Sequence, residues 1–310
     1  MNYTLNQLRV FVKIVELQHI TKAADALHLT QPAVSIQLKN FQQHFDIPLT
    51  EVINKRLYVT DFGHLIAGVA KKILEEADSM DSMTQAFQGH LIGRLCISTA
   101  STGKYVIPYF LTDFLSAHRD IELVLDVTNR SQVLAQLDRN ELDFALVSHL
   151  PVHLDISHLD ILENRLQLIG PAHSQDWPDN HWEWMESVPL IFREEGSATR
   201  LAMEEYIRSY GVRVRKKLVL TSNEAVKQAV MAGLGYSVMP LIGLKNELQA
   251  GQVRVIPMEG LPLWSRWHLV WLKEKKHSPA AQAYLKFMQA ERTRIAVAAF
   301  GWLDAFRGTH

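Results

Sequence analysis

Residues 19–41 read HITKAADALHLTQPAVSIQLKNF, and this stretch predicts two short helices joined by a tight turn. The first helix is expected to be capped by Thr21 and to end at Leu29. Its small-residue face lets a neighbouring helix cross closely: Ala23, Ala24 and Leu27. The second helix opens at residues 30–32 (TQP), where the amide hydrogen that proline lacks would have no partner anyway. Its predicted buried stripe is Val34, Leu38, Phe41 and Phe45.

The opposite face of the second helix is mostly short or polar. It carries Gln31, Ala33, Ser35, Ile36, Gln37, Lys39 and Asn40. Gln and Asn can pair with base edges, and a serine with the amides of a helix N-terminus can hold phosphate. A preceding amphipathic helix is predicted over residues 5–17 from side chains at helical spacing: Leu5, Leu8, Phe11, Val12 and Val15. This is the geometry of a major-groove reader, although a three-helix bundle with a polar outer face fits the same pattern.

The composition is that of an ordinary globular protein. The 310 residues exceed one typical domain, and 47% are hydrophobic and 21% charged. The net charge of −1 does not by itself argue for nucleic acid, but residues 26–45 hold no Asp or Glu, which suits a surface that approaches phosphates. There is no long apolar run or secretory signal, and the single Cys96 excludes an internal disulfide. We therefore expect a cytoplasmic protein.

Residues 8–41 resemble the N-terminal signature of LysR-type transcriptional regulators. The matching positions are Leu8, Arg9, Phe11, Val15, Glu16, Thr21, Ala23, Ala24, Leu27, Gln31, Pro32, Ala33, Val34, Ser35, Gln37 and Leu38. The resemblance implies a winged helix-turn-helix domain over residues 1–60 that binds double-stranded promoter DNA. It places Gln31, Pro32, Ser35 and Gln37 on the recognition helix. It also implies a small-molecule co-inducer, and RNA polymerase is a further partner that such a regulator is expected to meet.

Residues 48–63, PLTEVINKRLYVTDFG, follow as the wing. The family usually has Leu-Phe-x-Arg where this chain has LTEV at residues 49–52, so the phenylalanine and the arginine are both missing. The departure weakens the case for any wing contact that depends on that arginine, but threonine suits a strand and the fold is not threatened. Lys55 and Arg56 remain as the wing residues expected to touch the phosphate backbone or the minor groove.

Residues 62–88 are predicted to form one long helix within a linker segment, 61–90. Its apolar side chains recur at a spacing of three or four, interrupted once by Glu76: Ile66, Val69, Ile73, Met80, Met83 and Phe87. The pattern predicts the seam of a two-stranded coiled coil, and packing of this stripe onto its own domain is the alternative. In LysR-type regulators this helix pairs two subunits. The resemblance therefore implies a homodimer and, by pairing of dimers, a homotetramer.

From residue 91 onward, short strands alternate with helices. Strands are predicted at 94–99, 122–128, 143–149, 166–170, 189–194, 216–220, 236–240, 253–258 and 267–273, and helices at 105–117, 131–139, 199–210, 223–232 and from 279. This order predicts βαβ units and an α/β effector-binding domain over 91–295. Strands that cross near 147–166 and 259–268 would divide it into lobe I, about 91–163 and 268–295, and lobe II, about 164–267. The family has this fold, which is like that of periplasmic binding proteins, with its ligand between the lobes.

Polar side chains after the predicted strands are the candidate effector ligands, because α/β sheets bind ligands at the carboxyl ends of strands. Three groups lie at the starts of helices: Ser101 and Thr102; Ser197, Thr199 and Arg200; and Ser222 and Asn223. Two single residues follow further strands, Asn129 and His149. Helix-starting amides and the Arg200 guanidinium suit a small phosphorylated or carboxylated anion. Taken singly, each Ser, Thr or Asn is explained as a helix cap. Their convergence on one cleft favours a ligand site.

Several stretches resemble a narrower subgroup, the CbbR-type regulators of Calvin-cycle (RuBisCO) operons. They include residues 53–60 (INKRLYVT), 128–130 (TNR), 139–146 (RNELDFAL), 192–200 (FREEGSATR), 221–238 (TSNEAVKQAVMAGLGYSV) and 260–270 (GLPLWSRWHLV). The wing arginine is commonly missing in that subgroup too. Membership would imply effectors such as NADPH, ribulose bisphosphate or phosphoenolpyruvate. A LysR-type regulator of an unrelated metabolic operon is the alternative.

Other functions have less support in the sequence. The region 91–290 alone would suit a solute-binding protein, but the N-terminal reader and the missing signal peptide count against one. No nucleophile–base pair supports an enzyme. His149, His153 and His158 lack helical spacing and an acidic partner, so a metal there is disfavoured. We therefore expect no cofactor beyond the effector, and the tail, 296–310, is left with two roles, docking on its own domain or on a partner.

Overall fold

The computed structural model describes residues 3–54, 56–87, 91–173 and 181–306, except for the side chains of 75, 78, 79, 81–87 and 306. The chain forms two compact units, Met1–His90 and Leu91–His310. The predicted wing residue Lys55 lies outside the described residues, as do the predicted seam side chains of Met83 and Phe87.

Three helices form the body of the first unit: α1 at Leu5–Leu17, α2 at Ile20–Ala26 and α3 at Gln31–Gln42. α3 begins where the sequence predicts, with the Thr30 hydroxyl accepting from the amide of Ala33. The predicted limits of α2 are wrong. His19 caps this helix by accepting from the Lys22 amide through Nδ1, so Thr21 lies inside it, and the helix ends before Leu29.

The three helices share one apolar core. Its buried side chains come from α1, α2, α3 and the chain that follows: Leu8, Val10, Phe11, Ile14, Ala23, Ala24, Val34, Leu38, Phe41, Leu49, Ala67 and Ala70. The predicted stripe of α3 is confirmed except at Phe45, which lies beyond the helix and is half-buried. The predicted face of α1 is partly wrong, because Leu5 is exposed while Val10 and Ile14 are buried.

A two-stranded hairpin, β1 at Thr50–Ile53 and β2 at Arg56–Val59, forms the wing. Asn54 adopts the left-handed backbone conformation at φ 50°, which asparagine tolerates better than most residues. The long helix α4, at Asp61–Phe87, begins directly after the hairpin. The Thr60 hydroxyl donates to the carbonyl of Pro48 and accepts from the amide of Gly63, so it ties the start of α4 to the base of the wing.

Gly63 lies where α4 passes closest to the wing. A methyl group added there would lie 2.1 Å from the backbone oxygen of Leu49, a contact that side-chain motion cannot relieve. Gly63→Ala is expected to destabilise the first unit by about 2 kcal/mol, because overpacking against the backbone forces a main-chain shift. Hydrogen exchange of the α1 amides in the full-length protein measures the effect.

The matched control is Gly68→Ala on the same helix. Its added methyl group would meet nothing within 4 Å, and replacing a helical glycine stabilises a helix by roughly 0.5–1 kcal/mol. Equal protection of the α1 amides in the Gly63 and Gly68 variants would contradict the predicted clash.

α4 has two apolar faces. One packs on the three-helix core through Ala67 and Ala70. The other is exposed and carries four large side chains, Leu65, Val69, Ile73 and Met80. The predicted seam is wrong at Ile66, which packs against the core-facing side, and Leu65 takes its place on the exposed face. α4 therefore packs on its own unit, as the alternative interpretation expected, and also leaves an apolar face in solvent. Pairing of that face with a second subunit stays a prediction.

The second unit is an α/β domain with two lobes. Lobe I contains parallel strands and the helices between them: β3 at Gly93–Ala100, α5 at Ile107–Ala117, β4 at Ile121–Thr128, α6 at Arg130–Asp138 and β5 at Phe144–Val147. After the long strand β6 at Ile156–Pro171, lobe II contains α7 at His181–Ser187, β7 at Pro189–Arg193, α8 at Ala198–Ser209, β8 at Lys216–Leu220, α9 at Asn223–Met231, β9 at Ser237–Pro240, α10 at Lys245–Gln249 and β10 at Val253–Ile256. The chain then forms β11 at Leu263–Leu272 and α11 at Pro279–Phe300.

β6 and β11 are the two crossing strands. They pair antiparallel along most of their length, and the register shifts between Trp267 and His268. β6 also pairs with β9 and β10 of lobe II, and β11 pairs with β5 of lobe I. A seven-stranded sheet therefore runs through both lobes in the order β10-β6-β11-β5-β3-β4, with β9 beside β6, while β7 and β8 form a separate parallel pair.

The C-terminal helix α11 continues past residue 295, and a short 3-10 helix follows at Gly301–Phe306. Phe300 and Leu303 are buried in the core of the second unit. Arg165 of β6 fixes this end of the chain, because its guanidinium donates to the carbonyl of Leu303 and to Asp304. Of the two roles left open for the tail, the structure shows docking on its own domain up to residue 306. Among the described residues, no helix combines the length and apolar character needed to cross a membrane.

Candidate functional site

The outer face of α3 is an accessible polar surface. Gln31, Pro32, Lys39 and Asn40 are exposed, and Ala33, Ser35 and Gln37 are partly exposed. Gln31 Nε2 donates to Ser35 Oγ at 3.0 Å, which aligns two polar side chains one turn apart. Ile36, also exposed, offers an apolar contact of the kind that suits a thymine methyl group. All seven residues predicted on this helix therefore share one surface.

The wing adds one described cation, Arg56, which is exposed at the start of β2. Its other exposed side chains are mainly apolar. Val52 is 69% exposed at the position where the family usually has arginine, and Ile53 and Tyr58 are exposed beside it. In the part of the wing that the structure describes, positive charge is therefore sparse, and α3 is the principal candidate surface for reading bases.

A cavity of about 400 Å³, including the solvent at its mouth, lies between the two lobes of the second unit. Six of the nine predicted effector residues line it: Ser101, Thr102, Asn129, His149, Ser197 and Thr199. The lining also includes polar or aromatic residues that the sequence argument did not propose as ligands: Arg130, Ser148, Asn164, Arg193 and Trp267.

The structure does not bring the other three predicted residues into the lining. Arg200 Nε donates to Glu204 Oε1 at 2.8 Å, so the guanidinium expected to hold an anion is already paired with a carboxylate. The Ser222 hydroxyl accepts from the amide of Ala225 and acts as a helix cap. Asn223 is buried beside the cavity, where it supports two lining residues rather than facing a ligand itself.

Arg193, at the end of β7, organises the polar groups next to the cavity. Its guanidinium is only 2% exposed and donates to both carboxylate oxygens of Glu194, at 2.7 Å each. It also donates to Asn223 and, at 3.0 Å, to Ser101 Oγ of lobe I. Asn223 in turn donates to Thr102 of lobe I. The Arg193 charge is therefore balanced by Glu194, and the same side chain links the two lobes.

Arg130, the first residue of α6, is a cation that lines the cavity. None of the ion pairs among the described side chains joins it to a carboxylate. Its Nε is buried and has no hydrogen-bond partner in the described chain, and burial lowers its pKa. Asn164 Oδ1 and Trp267 Nε1 are likewise buried and unpaired there. Buried polar atoms are nearly always hydrogen-bonded, so these three unpaired atoms make the cavity a candidate site for a polar ligand.

Two helices begin at the cavity, and their N-terminal amides favour anions. The Asn129 side chain caps α6 by accepting from the amide of Gln132 at 2.9 Å. Ser197 precedes α8, and its side chain makes no cap hydrogen bond. At Gly196 (φ 82°) a Cβ would lie 2.8 Å from Ser131 Oγ, so the loop before α8 and the first turn of α6 approach closely.

His149 supplies a neutral polar group to the same cavity. Burial lowers the pKa of its imidazole, and the nearby positive charge of Arg130 lowers it further. Its Nδ1 lies 3.2 Å from Ser148 Oγ, another lining residue. The charged form of the His149 imidazole is therefore disfavoured, which makes it a candidate neutral hydrogen-bonding group beside the Arg130 cation.

Two family models match the chain. The model described as "Bacterial regulatory helix-turn-helix protein, lysR family" matches residues 5–64, which contain the three-helix core and the wing. The model described as "LysR substrate binding domain" matches residues 88–293, which contain both lobes and the cavity.

Two relatives match over nearly the whole chain, and a solved regulatory domain matches part of it. The HTH-type transcriptional activator CmpR of Synechocystis sp. is 34% identical over 299 residues, 96% of this chain and 98% of the relative. A RuBisCO operon transcriptional regulator of Allochromatium vinosum is 34% identical over 303 residues, 95% of this chain and 98% of the relative. The solved CcmR regulatory domain of Synechocystis PCC6803, in complex with 2-PG, is 32% identical with a TM-score of 0.59 and covers 64% of this chain and 96% of that chain. The chain therefore belongs to the LysR family: it is a DNA-binding transcriptional regulator with a C-terminal effector-binding domain.

Proposed function

We propose that the cavity of the second unit binds a small anionic metabolite and that Arg130 is its principal contact. The observation that carries the proposal is the half-buried Arg130 guanidinium, which lines the cavity with its Nε unpaired in the described chain. The first turns of α6 and α8 add amides that favour an anion. Trp267 Nε1 adds a donor and Asn164 Oδ1 an acceptor, so the ligand is expected to carry a hydrogen-bond donor as well as its negative charge.

Tryptophan fluorescence is a direct test of effector binding. The protein's seven tryptophans all lie between residues 177 and 302, and Trp267 lines the cavity. The full-length protein is titrated with 2-PG, because the related Synechocystis domain was solved in complex with it. A thermal-shift screen extends the test to phosphoenolpyruvate, ribulose bisphosphate, NADPH and an uncharged sugar. Saturable stabilisation by at least one anion is expected, and stabilisation by the uncharged sugar alone would contradict the proposal.

For the first unit, we propose that α3 enters the major groove and that Arg56 contacts the phosphate backbone. Gln31, Gln37 and Asn40 are the side chains assigned to base edges, because amides can pair bidentately with adenine. Lys39 and Arg56 are assigned to phosphates. Lys55, next to Arg56 in sequence, is proposed for the same role on sequence grounds alone.

Lys39→Ala is expected to weaken binding to all DNA sequences alike. Removing one phosphate contact lowers the slope of log affinity against log salt by about 1. Gln37→Ala is the comparison, since loss of a base contact reduces discrimination between sequences and leaves the salt slope unchanged. Fluorescence anisotropy with labelled duplexes at several salt concentrations measures both. An unchanged salt slope in the Lys39 variant would remove Lys39 from the phosphate contacts.

We propose that the exposed face of α4 joins two copies of the chain. Leu65, Val69, Ile73 and Met80 follow a spacing of four, four and seven residues on one side of the helix, as in a coiled-coil seam. A dimer would cover these side chains and place two α3 helices on one stretch of DNA. A tetramer built from two dimers remains the proposal for the full assembly.

Val69→Glu is expected to shift the protein towards monomers by at least tenfold in the dimer dissociation constant, because it buries an unpaired carboxylate in the seam. The control is His64→Glu, an exposed position away from this face of the helix. Sedimentation velocity over a range of concentrations reads out the assembly. If the Val69 variant sediments as the native protein does, the seam lies elsewhere.

We propose carbon-fixation genes as the targets of regulation. Two relatives bear the name RuBisCO operon transcriptional regulator and align with 95% and 93% of this chain. Chromatin immunoprecipitation in the native host tests the proposal. Enrichment upstream of RuBisCO genes is expected, whereas enrichment confined to an unrelated operon would favour the alternative of a different metabolic target.

A further inference from the structure

The crossing strands bring together three side chains of metal-binding type. His158 and Asp160 are two residues apart on β6, so their side chains leave the same face of the sheet. On β11, His268 pairs directly with Asp160, and Val270 pairs with His158. In the sequence, His149, His153 and His158 have no helical spacing and no acidic partner, so a metal at those three positions is disfavoured. The sheet instead brings His158 close to Asp160 on the same strand and to His268, a histidine 110 residues further along the chain.

The three side chains converge within ligand distance of one point. Asp160 Oδ1 lies 2.8 Å from His268 Nδ1 and 3.7 Å from His158 Nε2. All three potential ligand atoms lie within 4.8 Å of one another. Ligand atoms around a tetrahedral zinc ion are roughly 3.3 Å apart, given bonds of about 2.0 Å, so small side-chain rotations complete the geometry. The side chains of His158 and Asp160 are each 43% exposed and that of His268 is 13% exposed, so the point is open to solvent from one side.

We propose that His158, Asp160 and His268 bind one divalent transition-metal ion, with zinc as the best fit. Two imidazoles and one carboxylate form a mixed nitrogen and oxygen set that suits zinc and disfavours calcium or magnesium, which prefer oxygen ligands alone. The fourth position falls on the exposed side and would be taken by water. The ion would join β6 to β11, the two strands that connect the lobes.

The surroundings are compatible with a bound cation. Arg266 places a positive charge beside Asp160, but its Nη1 donates to Asp160 Oδ2 at 2.9 Å and leaves Oδ1 for the metal. A hydrogen bond to the second oxygen is a usual way to orient a ligating carboxylate. The register shift that sets His268 opposite Asp160 falls between His268 and Trp267, a lining residue of the effector cavity. The proposed metal site and the effector cavity therefore share the same stretch of β11.

Zinc titration of the full-length, tag-free protein against a chromophoric chelator tests the site. Wild type is expected to take up one equivalent that is lost, or weakened at least about tenfold, in His158→Ala and His268→Ala. Asp160→Asn keeps the shape of the side chain and an acceptor for Arg266, so it separates loss of metal from loss of fold. The matched control is His153→Ala, an exposed histidine in the segment before β6 that lies outside the cluster.

The variants distinguish the possible outcomes. Loss of the zinc equivalent in the three cluster variants but not in the His153 variant supports the proposal. Zinc uptake that is unchanged in Asp160→Asn and in both cluster histidine variants would overturn it, and so would equal loss in His153→Ala. Neither result depends on DNA binding or on the effector.

Discussion

Replacing Arg130 with alanine is expected to weaken effector binding by roughly 30-fold or more, since truncating one partner of a buried charge pair costs about 2 kcal/mol or more. Arg130 lines the cavity with its Nε buried and unpaired in the described chain. Because Arg130 is partly buried and has no carboxylate partner among the described side chains, an anion that enters the cavity would form an ion pair with it. The fold should tolerate the change, because no described ion pair is broken. Tryptophan fluorescence titration with an anion that stabilises the wild-type protein measures the loss.

Arg200→Gln is the matched control for that experiment. The sequence alone favoured Arg200 as the anion-binding residue, but its guanidinium pairs with Glu204 and does not line the cavity. Effector affinity in this variant should remain within about twofold of the wild type, since neither Arg200 nor Glu204 lines the cavity. If Arg200→Gln abolished binding while Arg130→Ala preserved it, the assignment of the cation would be reversed.

Replacing Arg193 with methionine is expected to have the largest effect on stability. Arg193 is almost fully buried, and its loss would leave Glu194, Asn223 and Ser101 without their shared donor. Removing one partner of a buried ion pair destabilises a protein by about 3 kcal/mol. For a domain of this size, that loss lowers the melting temperature by roughly 6–12 °C. Because every tryptophan lies in the second unit, thermal denaturation followed by tryptophan fluorescence reports on that unit alone.

The comparison variant is Arg139→Met. Arg139 also pairs with a glutamate, Glu141, but its side chain is 59% exposed. An exposed ion pair contributes about 1 kcal/mol at most, so the melting temperature should hardly change. Similar melting temperatures for the Arg193 and Arg139 variants would mean that the buried network does not hold the lobes as described.

The DNA-reading unit could be predicted closely because its information is local. A cap, a proline at the first turn and a helical stripe all lie within the α3 segment, and these features determine where that helix begins and which face is outside. The predictions for this unit were wrong where two nearby residues could both fill the same structural role. Thr21 is a good cap, but His19 caps α2 because its Nδ1 reaches the amide of Lys22. Ile66 and Leu65 are adjacent apolar residues, and only the packing of α4 against the three-helix core decides which of them is exposed.

The effector cavity could be predicted only in part because it depends on contacts between distant segments. Serines and threonines at helix starts were found from sequence, since strand ends in an α/β sheet converge. Asn164 and Trp267 could not be found this way, because they lie on crossing strands whose residues read as ordinary sheet positions. The contrast between Arg130 and Arg200 shows the same limit. Both arginines stand in the first turn of a helix. The spacing of Arg200 and Glu204, four residues apart on one helix, is readable from the sequence, but only the fold shows that Arg130 lines the cavity and Arg200 does not.

The most direct test of the whole account is a DNA titration with and without effector. Full-length protein is titrated with a labelled fragment of its own upstream region and with unrelated DNA of equal length, at physiological salt. The account predicts affinity for the upstream fragment at least about 1,000-fold tighter, within the usual range for specific DNA-binding proteins. It also predicts that an anion bound in the cavity changes this affinity in the wild type and not in Arg130→Ala. Equal binding of both DNAs, with no response to any cavity-binding anion, would contradict it.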